Sequence, residues 1–126
     1  MQAMGKTEIL VIDDERSVAD ALKVILESEG FSVTLAASGR DGIECARHGK
    51  FSLAITDLHL PDMSGLDVLR TLLAENPGFC VLLITSYGTP EVFAEALSCG
   101  AAGALDKPFS PSEIVRLVTS LLDGAG

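Results

Sequence analysis

Short, nearly continuous apolar runs alternate along the chain with segments of helical period. Residues 8–13 read Glu-Ile-Leu-Val-Ile-Asp, an apolar run closed by an acid. A run of that kind suits a strand buried on both faces of a parallel sheet. Similar runs occupy residues 53–56 and 79–85, with a weaker one over 101–105, whereas residues 31–35 alternate as an edge strand does. Between them, Val18, Ala21, Leu22, Ile25 and Leu26 fall on one helical stripe that Gly30 terminates. A second stripe of Ile114, Leu117, Val118, Leu121 and Leu122 follows Ser110 as cap and Pro111 in the first helical position. Residues 39–47, 66–74 and 90–98 supply three more helices, the last opened by Thr89 before Pro90. Strict β-then-α alternation with short connections implies an α/β fold: a parallel sheet with right-handed crossovers, doubly wound by helices on both faces.

Composition narrows the possibilities. A chain of 126 residues with 48% apolar side chains and no Trp builds one aliphatic core, and no linker divides it. Eighteen acids against nine Lys plus Arg give a net charge of −9, which repels nucleic-acid phosphates and anionic lipid. No direct nucleic-acid contact and no membrane association are expected. No apolar run reaches the roughly 18 residues a bilayer span needs, and the N-terminus lacks a signal-peptide layout, so the cytoplasm is the expected location. Cys45, Cys80 and Cys99 are odd in number and without close ligand spacing, so we read them as buried small hydrophobes.

In an open parallel sheet all carboxyl ends of the strands share one edge, where ligands bind. That edge collects Asp13 and Asp14 after the first strand, Asp57 after the third, Thr85 after the fourth and Lys107 after the fifth. Three converging carboxylates imply either shifted protonation or a hard divalent cation, Mg²⁺ or Mn²⁺. An ammonium and a hydroxyl beside them offer what a transferring phosphoryl group requires, and a carboxylate such as Asp57 can accept it covalently. His48 is read as structural. His59, two positions past Asp57, lies near the approach of attacking water and is expected to tune the lifetime of a phosphorylated state. Pro61 and Gly65 shape the loop that follows.

Through Asp13-Asp14, Asp57-Leu-His-Leu-Pro-Asp-Met-Ser-Gly65, Ile84-Thr-Ser86 and Lys107-Pro-Phe109, the chain resembles the receiver domains of bacterial two-component response regulators, of the chemotaxis-regulator type. The resemblance runs from Glu8 to about Leu122, within a single domain taken as residues 1–126. It implies a flavodoxin-like (βα)5 sheet of strand order 2-1-3-4-5. It also implies phosphoryl transfer to Asp57 from the phosphohistidine of a sensor kinase or phosphotransfer protein, with output to an effector domain or downstream protein. By the same resemblance Asp14, Asp57 and the backbone carbonyl of His59 hold the metal, and Asp13 acts mainly through water. Thr85 contacts the phosphoryl oxygen, Lys107 pairs with it, and the Lys107–Pro108 peptide is cis. No turnover of a separate substrate is implied.

The family's inward-turning aromatic residue is replaced here by Ala104, which leaves Thr85 with Tyr87, or the backbone of that loop, as switch candidates. The 100–103 stretch also lacks acids used for dimerisation in DNA-binding relatives, so the sequence leaves dimerisation open. The same residues admit two rivals: a receiver fold that signals without phosphorylation, and a haloacid-dehalogenase-like phosphatase. The latter wants a second Asp where this chain has His59. A flavodoxin-like cofactor role lacks a phosphate loop after the first strand.

Overall fold

The computed structural model describes residues 6–124. Residues 1–5 and 125–126 of the expected domain lie outside the described residues. Five parallel strands, β1 (Glu8–Ile12), β2 (Ser32–Ala36), β3 (Leu53–Asp57), β4 (Cys80–Thr85) and β5 (Gly103–Asp106), alternate with five helices. These are α1 (Arg16–Ser28), α2 (Gly39–His48), α3 (Gly65–Glu75), α4 (Pro90–Ser98) and α5 (Pro111–Gly124). The sheet order is β2-β1-β3-β4-β5, the doubly wound arrangement the β-then-α rhythm and the resemblance imply.

Both sheet faces are apolar because alternate residues of each central strand enter opposite cores. Ile9, Val11, Leu53, Ile55, Leu82 and Ile84 pack with Leu22, Leu26, Ile114 and Val118 of α1 and α5. Leu10, Ile12, Ala54, Val81 and Leu83 pack instead with Ile43 of α2 and Val68, Leu69 and Leu72 of α3. Continuous apolar runs are therefore what a strand covered on both sides requires.

Three details depart from the sequence reading. The stripe of α1 is centred so that Ala19 is buried and Ala21 exposed, because Leu22 and Leu26 define the inward direction. β5 starts at Gly103 rather than at residue 101 and is only half-buried, since it forms the second edge of the sheet. The chain leaves α4 through Gly100 in the left-handed region at φ 106°, and Ala101 N–H returns to the Ala96 carbonyl before the strand begins. Cys45, Cys80 and Cys99 are free but half-buried rather than buried.

Caps follow their residues. The Thr89 hydroxyl accepts from Val92 N–H, and Ser110 exchanges bonds with Glu113, a reciprocal cap that fixes α5 directly after the fifth strand-end loop. Among the described residues no helix is long and apolar enough to cross a membrane.

Candidate phosphoacceptor site

Asp57 and Thr85 end their strands, Asp13 and Lys107 sit one step beyond theirs with Asp14 next after Asp13, and the sheet ladder continues far enough to fix the backbone at Asp13 and Lys107. Asp13 N–H donates to the Ala36 carbonyl at 3.0 Å, Leu58 N–H to Ile84 at 2.9 Å, and Lys107 N–H to Thr85 at 2.7 Å. The β3 register places Asp57 beside Ile84, next to Thr85 on β4, while β5 pairs Thr85 with Asp106 just before Lys107. Gly65 is required for this geometry. Its N–H donates to Leu58, and a Cβ there would fall on the Asp57 carbonyl oxygen.

The structure brings the three acids together: one carboxylate oxygen from each of Asp13, Asp14 and Asp57 lies within 4.8 Å of the others. Asp13 and Asp57 are buried, and Asp14 is exposed at the rim. Lys107 reaches across from β5, its Nζ 3.0 Å from Asp13 Oδ2, 3.3 Å from Asp57 Oδ1 and 2.9 Å from Glu15 Oε1. One Asp13 oxygen accepts from Glu15 N–H at 2.9 Å, a local turn that leads into α1. Its other oxygen, Oδ2, touches the ammonium as an ion pair but lies outside hydrogen-bonding direction, a buried acceptor without a directed donor.

Electrostatics at the site are strained. Burial and the neighbouring Asp13 charge raise the Asp57 carboxyl above its ordinary range, although Lys107 and His59 oppose this. Burial works against the Lys107 charge too, but contacts with Glu15 and Asp13 and the fields of Asp13 and Asp57 outweigh it and raise its pKa. One ammonium thus serves three carboxylates. The clustered oxygens and the undirected Asp13 Oδ2 fit a hard divalent cation, which takes oxygen donors and offsets excess negative charge.

Thr85 is fully buried, and its hydroxyl accepts from Tyr87 N–H at 3.0 Å, a bond that does not consume the hydroxyl proton. Tyr87 itself is 70% exposed, its ring edge-on to His59 at 5.3 Å between centroids. Ala104 pairs with Leu83 and packs on the α2–α3 core. The Lys107–Pro108 peptide is cis. His48 stands apart on α2, exposed against Glu44 at 3.1 Å.

Three acids escaped the sequence reading. Glu15 bonds Lys107, a role its place directly after the acid pair hinted at. Asp62 accepts from Gly39 N–H at 2.8 Å and Arg40 N–H at 2.9 Å, tying the loop after Asp57 to the start of α2. Asp106 accepts from Gly88 N–H at 3.1 Å. Neither of the last two contacts carries a sequence signal, because both join segments distant in the chain.

Residues 9–119 match the family described as "Response regulator receiver domain". A probable transcriptional regulatory protein of Mycobacterium tuberculosis, TcrX, is 40% identical over 118 residues, which is 94% of this chain and 50% of that protein. The chain spans about half the length of some curated relatives it matches and about a quarter of others. A crystal structure of a CheY-like receiver domain from Methanospirillum hungatei superposes with a TM-score of 0.91 at 32% identity, covering 95% of this chain and 96% of that one. A beryllofluoride-activated NtrC4 receiver domain superposes with a TM-score of 0.90 at 27% identity, covering 94% and 98%. With its CheY-like fold and its acids gathered at the sheet's carboxyl edge, the chain belongs to the response regulator receiver domain family.

Proposed function

We propose that this receiver domain, taken as one unit from about residue 8 to about residue 122, accepts a phosphoryl group on Asp57 from a phosphohistidine. The donor is a sensor histidine kinase or a phosphotransfer protein, met in the cytoplasm. An Asp57 carboxylate oxygen forms the new O–P bond as the P–N bond to the donor imidazole breaks, and the electron pair and then a proton go to that imidazole nitrogen. The reading rests above all on Lys107 Nζ being shared by Asp13, Asp57 and Glu15 at the common edge of the sheet.

Each residue has a defined task. Lys107 exchanges part of its contact with the carboxylates for the phosphoryl oxygens, and Thr85 donates its hydroxyl proton to one of them. Asp14, Asp57 and the His59 carbonyl would hold Mg²⁺ (or Mn²⁺), with Asp13 acting through water. When bound, the cation supplies charge neutralisation between carboxylates and phosphoryl oxygens. Burial of Asp57 keeps bulk water from the acyl phosphate. The resulting change of charge shifts a pre-existing conformational equilibrium that an effector domain or downstream protein reads.

Incubation with acetyl phosphate and Mg²⁺ should add one phosphoryl group to the intact protein by mass spectrometry. Chelation or Asp57→Asn should abolish it. Unchanged labelling of Asp57→Asn would dismiss this reading.

A further inference from the structure

With Ala104 offering only a methyl group on β5, the state of the site needs another route to the surface. The structure contains one in two consecutive backbone donors of the β4–α4 loop. Tyr87 N–H is held by the buried Thr85 hydroxyl at 3.0 Å. Gly88 N–H is held by the Asp106 carboxylate at 3.1 Å. Both anchors adjoin groups assigned to the phosphoryl: Thr85 is itself one, and Asp106 directly precedes Lys107. The loop is closely packed at this point, because a Cβ on residue 88 would collide with Asp106 Oδ1 and with the Phe93 ring of α4. On its other side the Tyr87 ring leans edge-on against His59, in the loop that follows Asp57.

We propose that the Asp106 carboxylate is a latch that holds the Tyr87–Gly88 segment in its resting position, and that release of this latch is how the chain exports its phosphorylation state. This rests on the receiver reading above. When Thr85 turns its hydroxyl to a phosphoryl oxygen and Lys107 moves toward the same group, both anchors of the loop shift together. Gly88 is then free to move away from Asp106, the Tyr87 ring leaves His59, and Phe93 carries the change into the first turn of α4. Asp106 is a positioning residue here: it bonds the loop and not the reacting atoms.

The protein carries its own reporter, since Tyr87 is the only Tyr and there is no Trp. Tyrosine emission and anisotropy of the full chain are therefore signals from this one ring. In the wild type, beryllofluoride with Mg²⁺ is expected to change both. Asp106→Ala removes the acceptor and should shift the closed-to-open ratio about tenfold, the usual worth of one such bond. Its tyrosine signal should therefore lie near the activated one before any addition, and respond little afterwards. Asp106→Asn keeps an acceptor oxygen and should restore the wild-type baseline and response. Labelling by acetyl phosphate should persist in both variants. A wild-type baseline and response in Asp106→Ala, with labelling intact, overturns the latch alone. Loss of labelling in the wild type overturns the latch and the receiver reading together.

Discussion

Removing the charge of Asp57 should make the metal-free protein more stable. Asp57 is 5% exposed, so solvent screens its interactions little. With an effective dielectric near 20, a carboxylate oxygen within 4.8 Å repels it by at least about 3 kcal/mol, and an ammonium at 3.3 Å attracts it by roughly 5 kcal/mol. Desolvation costs several kcal/mol more. Burial and repulsion together outweigh the attraction, as the upward displacement of its pKa indicates. Asp57→Asn is therefore expected to gain on the order of 1–2 kcal/mol at neutral pH. For 126 residues that corresponds to a rise in Tm of about 4–8 °C.

The pH dependence has a definite sign. A carboxyl whose folded-state pKa is raised costs stability fully above that value and nothing below its unfolded value of about 3.9. The advantage of Asn should thus shrink as the pH falls through the raised pKa and vanish near about pH 4. Calorimetry with a chelator present, repeated across pH, measures this. Added Mg²⁺ should stabilise the wild type by about 2.7 kcal/mol at a hundredfold excess over its Kd, with a smaller gain in the variant. An Asn variant less stable than wild type at neutral pH, or a gain that persists in acid, refutes the electrostatic reasoning.

Lys107→Ala leaves Asp13 and Asp57 without their shared cation and should cost on the order of 2–4 kcal/mol in urea titrations, part of which Mg²⁺ restores. Gly65→Ala forces a methyl group onto the Asp57 carbonyl and should lower stability by about 1–3 kcal/mol, seen as a lower denaturation midpoint at unchanged slope. Asp62→Ala removes the acceptor for Arg40 and Gly39 N–H, contacts that hold the Asp62 carboxyl below its usual range. A depressed pKa contributes stability above the unfolded value that is lost as pH falls through the folded one, so the variant's lower Tm at neutral pH should converge with wild type in acid, below the ordinary carboxylate range.

Much of this site is legible in the sequence because the sheet converts order along the chain into position in space. An apolar run that ends in Asp13, Asp57 or Thr85 carries that residue to the carboxyl edge whatever the loops do. The same logic places Lys107, although β5 itself is shifted, because the apolar run ends at Leu105 and the strand at Asp106, only one residue apart. The contacts made by loops are another matter. Asp62 on α2, Glu15 on Lys107 and Asp106 on Gly88 depend on how turns fold back, and no periodic pattern encodes them. The exchange of Ala21 for Ala19 on α1 has a similar origin: both alanines satisfy the helical period, and the burial of Leu22 and Leu26 decides which faces inward.

The central claim is tested most directly by locating the bond. After treatment with acetyl phosphate and Mg²⁺, borohydride reduction converts an aspartyl phosphate to homoserine, and peptide mapping reads its position. Homoserine at position 57, and at no other acid, is the expected result. Modification at Asp13, Asp14 or elsewhere, or a phosphoryl group that survives as a His or Ser adduct, contradicts the account.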